Sequence, residues 1–162
     1  MAKIVIIGAG AMGTAFGYPC VDNKHDVSIL GTHLENKSID ELNKNRFHLG
    51  LNLEVSKSIK FLKCNSINDL FKVQPDLIVI GVNSKGIEWV AEELNKISQK
   101  GKLPNLLMLT KGLSVNGKKY ELLVDKLDRL LSIKGIKNIN ISAVGGPCLA
   151  PGLANRIHSG VV

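Results

Sequence analysis

The sequence predicts a doubly wound α/β domain with a mainly parallel sheet and helices on both faces. Three observations predict it. Six short runs rich in Ile, Val and Leu are bounded by Gly, Pro or Asn, and most are continuously apolar rather than alternating. Continuous apolar runs mark strands covered on both faces, as in parallel sheets. Segments of helical spacing lie between them, and a glycine-rich turn follows the first run. Strand–helix alternation then demands right-handed crossovers.

In chain order, Lys3–Ile7 is the first strand and Ala11–Val21 its helix. Val27–Leu30 is the second strand. The stretch from Thr32 to Ser58 is the least regular; Leu42, the run Arg46-Phe47-His48-Leu49-Gly50 and Leu53 suggest a helix and then an ordered loop over the sheet edge. Ile59–Leu62 is a strand, followed by a short helical piece at Asn68–Phe71. Leu77–Val82 leads into a helix over Gly86–Ile97, whose Ile87, Val90, Leu94 and Ile97 share a face. Leu106–Leu109 is the fifth strand. Asn116–Leu131 carries a leucine stripe that predicts a helix, and Ile139–Val144 is the sixth strand. The chain stops at His158–Val162, which reads as the inside of a further strand, so a second domain is expected beyond it.

Length and composition bound the rest. The 162 residues suit one domain, and 44% hydrophobic with 22% charged residues excludes a disordered chain. The net charge of +7 comes from lysines spread along the sequence, not clustered into a nucleic-acid-binding stripe. They read as a solvated surface whose mild positive field favours phosphorylated ligands. Three cysteines, an odd number, make no disulfide framework and point to a reducing cytoplasm. The apolar opening run is too short for a signal segment or membrane insertion. No metal site is expected.

The chemistry begins at Gly8-Ala9-Gly10-Ala11-Met12-Gly13, a G-x-G-x-x-G turn between strand and helix. Gly8 permits the tight turn, Gly10 lets backbone approach a pyrophosphate, and Gly13 lets helix pack on strand. The helix N-terminus offers unpaired N–H groups to phosphates. An acid at the tip of the second strand would hold the ribose 2′-hydroxyl of NAD. Thr32 and His33 stand there instead, with Lys37 nearby, so the expectation leans toward NADP; Glu35 could fold back and reverse it.

Further motifs follow in order: Arg46-Phe47 with Gly50 and Leu53, Gly81-Val82-Asn83-Ser84, Thr110-Lys111-Gly112-Leu113 and Gly145-Gly146-Pro147-Cys148-Leu149-Ala150. Together they resemble the N-terminal cofactor domain of the NAD(P)-dependent glycerol-3-phosphate dehydrogenase family, over essentially the whole chain. The resemblance implies a Rossmann-type domain, residues 1–162, in an oxidoreductase that interconverts dihydroxyacetone phosphate and sn-glycerol 3-phosphate and feeds glycerolipid synthesis. It implies hydride transfer between nicotinamide C4 and substrate C2. It also implies an all-helical second domain, absent from this chain, that supplies a further lysine and possible homodimer contacts; the fragment alone is then expected to be inactive.

By that resemblance Gly8, Gly10, Ala11, Met12, Gly13, Thr32, His33, Asn83, Lys111 and Ala150 contact NAD or NADP. Lys111, Gly146 and Cys148 contact the small phosphorylated substrate, and Lys111 is catalytic. Independently, Lys111 lies at the carboxyl end of a strand, where ligands collect in open α/β sheets and where an ammonium stabilises charge on a carbonyl oxygen. Departures from the family pattern are Met12 and Leu30 for Trp, Asn83 for Pro, His48-Leu49 for Leu-Pro, Cys148 for Ser and Gly152 for Glu. A thiol at 148 donates hydrogen bonds poorly. Two other readings stay open: a related reductase of the ketopantoate reductase or hydroxyacid dehydrogenase group, and a non-catalytic dinucleotide-sensing domain.

Overall fold

β1 (Lys3–Ile7) is a central strand of a six-stranded sheet, with β2 (Asp26–Leu30) on one side and β6 (Leu77–Ile80) on the other. The computed structural model describes residues 1–72 and 74–162. The sheet is completed by β5 (Ile59–Leu62), β7 (Asn105–Met108) and β10 (Ile141–Ala143) in the order β10-β7-β6-β1-β2-β5. Every ladder in it is parallel. Helices α1 (Ala11–Asp22), α2 (Asn36–Asn45), α3 (Ile67–Leu70), α4 (Ile87–Ser98) and α5 (Leu123–Ile133) fill the crossovers, and a short α6 (Ala150–Ala154) follows the last strand. Two small antiparallel pairs, β3 (Phe47–His48) with β4 (Leu53–Glu54) and β8 (Leu113–Asn116) with β9 (Lys119–Leu122), stand outside the sheet.

The continuous apolar runs are explained by two cores, one on each face. Val5 and Ile7 of β1 pack with Ile78 and Ile80 of β6 under α4 and α5. Ile4 and Ile6 face the other way, with Val27, Ile29 and Val79, under α1 and α2. Because strand side chains alternate, a strand covered twice must be apolar at every position. Each fully buried isoleucine contributes roughly 2–3 kcal/mol. Burial also pushes the Cys20 thiol in α1 up to about 11, so this cysteine is a packing group with no thiolate at neutral pH.

Several boundaries differ from the sequence reading. The helix expected over Asn116–Leu131 starts only at Leu123, because Leu113–Leu122 forms the β8–β9 hairpin. Its two-residue loop begins at Gly117, at φ +63, a conformation glycine adopts freely and that hairpin turns use. The Glu121 carboxylate then ties the hairpin to α5 by accepting from Arg129 at 2.7 and 3.1 Å and from Ser114 at 3.0 Å. The strand expected over Leu77–Val82 ends at Ile80, and that over Ile139–Val144 narrows to Ile141–Ala143. His158–Val162 is not a strand. Val162, the last residue of the sequence, exchanges two backbone bonds with Gly145, at 2.7 and 3.0 Å. The Thr32–Ser58 stretch supplies α2 and the β3–β4 pair. Among the described residues no helix is long and apolar enough to cross a membrane.

The turn from β1 into α1 is built on contacts no side chain allows. A Cβ on Gly13 would stand 2.2 Å from the Gly8 carbonyl oxygen. A Cβ on Gly8, itself at φ +109, would meet Gly81 and Val82 backbone at 2.9 Å. Gly13→Ala is therefore expected to push α1 off the sheet and cost about 2 kcal/mol or more, lowering the melting temperature by roughly 4–8 °C. A variant that melts with the parent would show that this close approach is not needed.

Candidate functional site

The strand order reverses between β1 and β6. From β1 the chain passes to α1 on one face, and from β6 to α4 on the other. A crevice must open where the two loops part, outside the carboxyl ends of the strands. It is present as a cleft of about 950 Å³. One wall carries Gly10, Ala11 and Met12 from the glycine turn with Thr32 and His33; the opposite wall carries Asn83, Lys85 and Trp89. Its far end is formed by Leu109, Thr110, Lys111 and Gly146–Leu149.

The glycine turn suits a pyrophosphate. Gly10 is the N-cap of α1, makes no side-chain cap, and is followed by no acidic residue in the first turn. A Cβ placed on Gly10 meets nothing within 4 Å, so the space beside it is open cleft. Uncapped N–H groups and the positive end of the helix dipole favour an anion there.

Three side chains that the motif does not announce hold this turn. All of them act on Ala9, which is 3% exposed. The Ala9 N–H donates to Glu35 Oε2 at 3.3 Å. The Ala9 carbonyl accepts from the Thr14 hydroxyl at 3.2 Å and lies 3.1 Å from His48 Nε2. His48 Nδ1 accepts from the Leu51 N–H at 3.2 Å, which leaves the Nε2 proton for Ala9. Glu35 Oε2 also accepts from the Thr32 N–H at 2.7 Å. The sequence reading leans to NADP on the absence of an acid at the β2 tip and allows that Glu35 could fold back; Glu35 does fold back, onto the Thr32 and Ala9 N–H groups. A signal for it is in the sequence. Thr32-x-x-Glu35 has the spacing of a capping box, and Glu35 makes that reach back to the Thr32 N–H, although Glu35 and not Thr32 is the residue that precedes α2.

At the far end the strand-end loops are bonded to one another. Thr110 Oγ1 donates to the Val82 carbonyl at 2.6 Å. Lys111 Nζ donates to the Gly146 carbonyl at 2.6 Å, and the Cys148 N–H shares that acceptor at 3.0 Å. On the opposite wall Asn83 Oδ1 accepts from the Gly86 N–H at 3.2 Å and closes the turn into α4. The His33 and Trp89 rings lie 5.5 Å apart, tilted by 50°.

Of the residues singled out from sequence, Gly10, Ala11, Met12, Thr32, His33, Asn83, Lys111, Gly146 and Cys148 line this one cleft. Gly8 and Gly13 lie beneath it as packing contacts. Ala150 does not line it; its side chain packs with Ala15, Tyr18 and Ala154 between α6 and α1. A second, mainly apolar cavity of about 460 Å³ shares Met12, Leu109, Lys111 and Cys148 and runs on between α1 and residues 153–161. Arg156 closes that side with bonds of 2.7 and 3.0 Å to Asp22. Sequence reasoning missed Trp89 and the holding roles of Thr14 and His48, and it took Gly81 only as part of a motif; except for Thr14, whose partner Ala9 is five residues away, these roles depend on partners far along the chain.

Residues 3–162 match the family described as NAD-dependent glycerol-3-phosphate dehydrogenase N-terminus. The chain is 29% identical over 160 residues to a glycerol-3-phosphate dehydrogenase [NAD(P)+] of Lactobacillus johnsonii, which covers 96% of this chain and 44% of that protein. It is 24% identical over 159 residues to an NADP(+)-dependent glycerol-3-phosphate dehydrogenase of Archaeoglobus fulgidus, covering 98% and 45%. The chain therefore spans less than half the length of these relatives. Among solved structures, glycerol-3-phosphate dehydrogenase from Coxiella burnetii superposes with a TM-score of 0.76 at 21% identity, over 99% of this chain and 45% of that one. A putative 2-dehydropantoate 2-reductase from Enterococcus faecalis gives 0.59 at 21% identity, over 88% and 40%. These two structures are alike in fold.

Proposed function

Because the chain belongs to the family of NAD-dependent glycerol-3-phosphate dehydrogenase N-termini, we propose that residues 1–162 are the dinucleotide-holding domain of an enzyme interconverting dihydroxyacetone phosphate and sn-glycerol 3-phosphate. The chemistry that a bound NAD(H) or NADP(H) supplies is a hydride. This chain's residues bind and orient. The α1 N-terminus with Gly10, Ala11 and Met12 takes the pyrophosphate. Thr32 and His33 border the adenosine end, and Asn83 shapes the wall between the two ends. Gly146 and Cys148 border the substrate.

The observation that carries the reading is Lys111. Its ammonium is fixed 2.6 Å from the Gly146 carbonyl, at the end of the cleft away from His33, where three strand-end loops meet. A cation held there attracts a phosphorylated ketone and stabilises the oxygen that gains charge as hydride arrives. The proton that completes the alcohol is assigned to a residue outside this chain, so binding and turnover separate.

The 162-residue chain is expected to bind NADH or NADPH yet show no loss of reduced nicotinamide when dihydroxyacetone phosphate is added. The same assay on a longer form carrying the helical domain should show that loss, with no response to ketopantoate. Binding of neither dinucleotide, or turnover of ketopantoate instead, overturns the assignment. Steady turnover by the 162 residues alone overturns the division of labour.

A further inference from the structure

The Glu35 carboxylate is fixed between the ends of two adjacent strands. Its Oε2 accepts from the Ala9 N–H in the turn after β1 and from the Thr32 N–H just past β2. It lines the same cleft as Gly10, Thr32 and His33. Both bonds fall on Oε2; Oε1 accepts none among the described residues. In sheets of this order an acid ending the second strand meets the ribose of the dinucleotide. Here Leu30, Gly31 and Thr32 offer none, and the carboxylate arrives from the residue preceding α2.

We propose that Glu35 is the specificity-determining residue for the cofactor ribose: Oε1 accepts from a 2′-hydroxyl, and its charge repels a 2′-phosphate, so the chain prefers NAD(H) to NADP(H). The inference rests on the dinucleotide-binding reading above. Two lysines border the same cleft, Lys85 and Lys111, both with exposed side chains, and Lys111 is engaged with the Gly146 carbonyl at the far end. Glu35 is half-buried and held in place by two backbone bonds. A fixed, partly desolvated charge is screened less than mobile exposed ones, so the carboxylate sets the sign of the local preference.

The test is calorimetric titration of the 162-residue chain with NADH and with NADPH at one ionic strength, for the parent and for Glu35→Gln. Glutamine keeps a side-chain oxygen for the Ala9 and Thr32 N–H groups and removes only the charge. The parent is expected to bind NADH at least tenfold more tightly, about 1.4 kcal/mol, and Glu35→Gln to bring the two within about threefold, chiefly by improving NADPH. Should the variant fail to fold, the parent's salt dependence decides. Repulsion by Glu35 is screened as salt rises, so the NADH preference narrows; capture of the 2′-phosphate by Lys85 would be screened instead, and the preference would widen. A parent that binds NADPH as tightly as NADH, a ratio unchanged by Glu35→Gln, or a preference that widens with salt overturns the proposal and leaves the dinucleotide reading intact. Binding of neither cofactor by the folded parent overturns both.

Discussion

Gly10→Val is expected to weaken dinucleotide binding at least a hundredfold, about 2.7 kcal/mol, while the protein melts within about 2 °C of the parent. Gly10 has φ −69 and ψ 177, an extended conformation that any residue adopts. A Cβ there would meet no protein atom within 4 Å beyond its chain neighbours and its own helix's backbone, so a valine side chain starts out into open cleft. It would instead occupy the space where a pyrophosphate approaches the backbone at the head of α1. The same motif thus contains two glycines with opposite reasons for being glycine. Gly13 is squeezed by the Gly8 carbonyl and its replacement damages the fold; Gly10 faces open cleft and its replacement damages only the ligand's place. Calorimetry and a thermal melt on the same preparation separate the two. Tight binding by Gly10→Val would remove the pyrophosphate from this turn.

The second large effect is on catalysis. In the form of the protein that turns over substrate, Lys111→Ala is expected to lower kcat/KM for dihydroxyacetone phosphate by at least about a hundredfold, roughly 2.7 kcal/mol. The loss should fall on the transition state more than on ground-state binding, because negative charge grows on the carbonyl oxygen as hydride arrives. Lys111 is exposed, and the Gly146 carbonyl it bonds keeps the Cys148 N–H as donor, so the fold should hardly change. Lys111→Arg should rescue only in part, since a planar guanidinium places its charge differently from a compact ammonium. Steady-state kinetics with melts of all three proteins decide it. An alanine variant within threefold of the parent would return Lys111 to the ordinary surface, and a large drop in melting temperature would make the effect structural.

The parallel sheet was legible because double burial leaves a plain mark. Val5 and Ile7 enter one core and Ile4 and Ile6 the other, so nothing polar interrupts the run. The glycine turn was legible because its spacing encodes two steric demands and one open space. The β8–β9 hairpin was not, since Leu122, Leu123, Leu127 and Leu131 continue a helical stripe across a strand. Only Asn116-Gly117 contradicted that stripe, and the turn won. The hold on Ala9 was harder still. Glu35, Thr14 and His48 converge on one peptide from three elements, and no local period brings residues 9, 14, 35 and 48 together. Gly81 was readable as part of a motif, but its reason, contact with Gly8 and Gly13, belongs to packing alone.

Trp89 is the sole tryptophan of the chain, and it stands in the cleft wall beside His33. With excitation at wavelengths too long for Tyr18 and Tyr120 to absorb, the emission therefore originates from one spot, in the first turn of α4. Energy transfer from that indole to a reduced nicotinamide gives an optical ruler with a single fixed origin. Quenching on titration then reports events at this wall, while rearrangements around α6 and the β8–β9 hairpin stay dark.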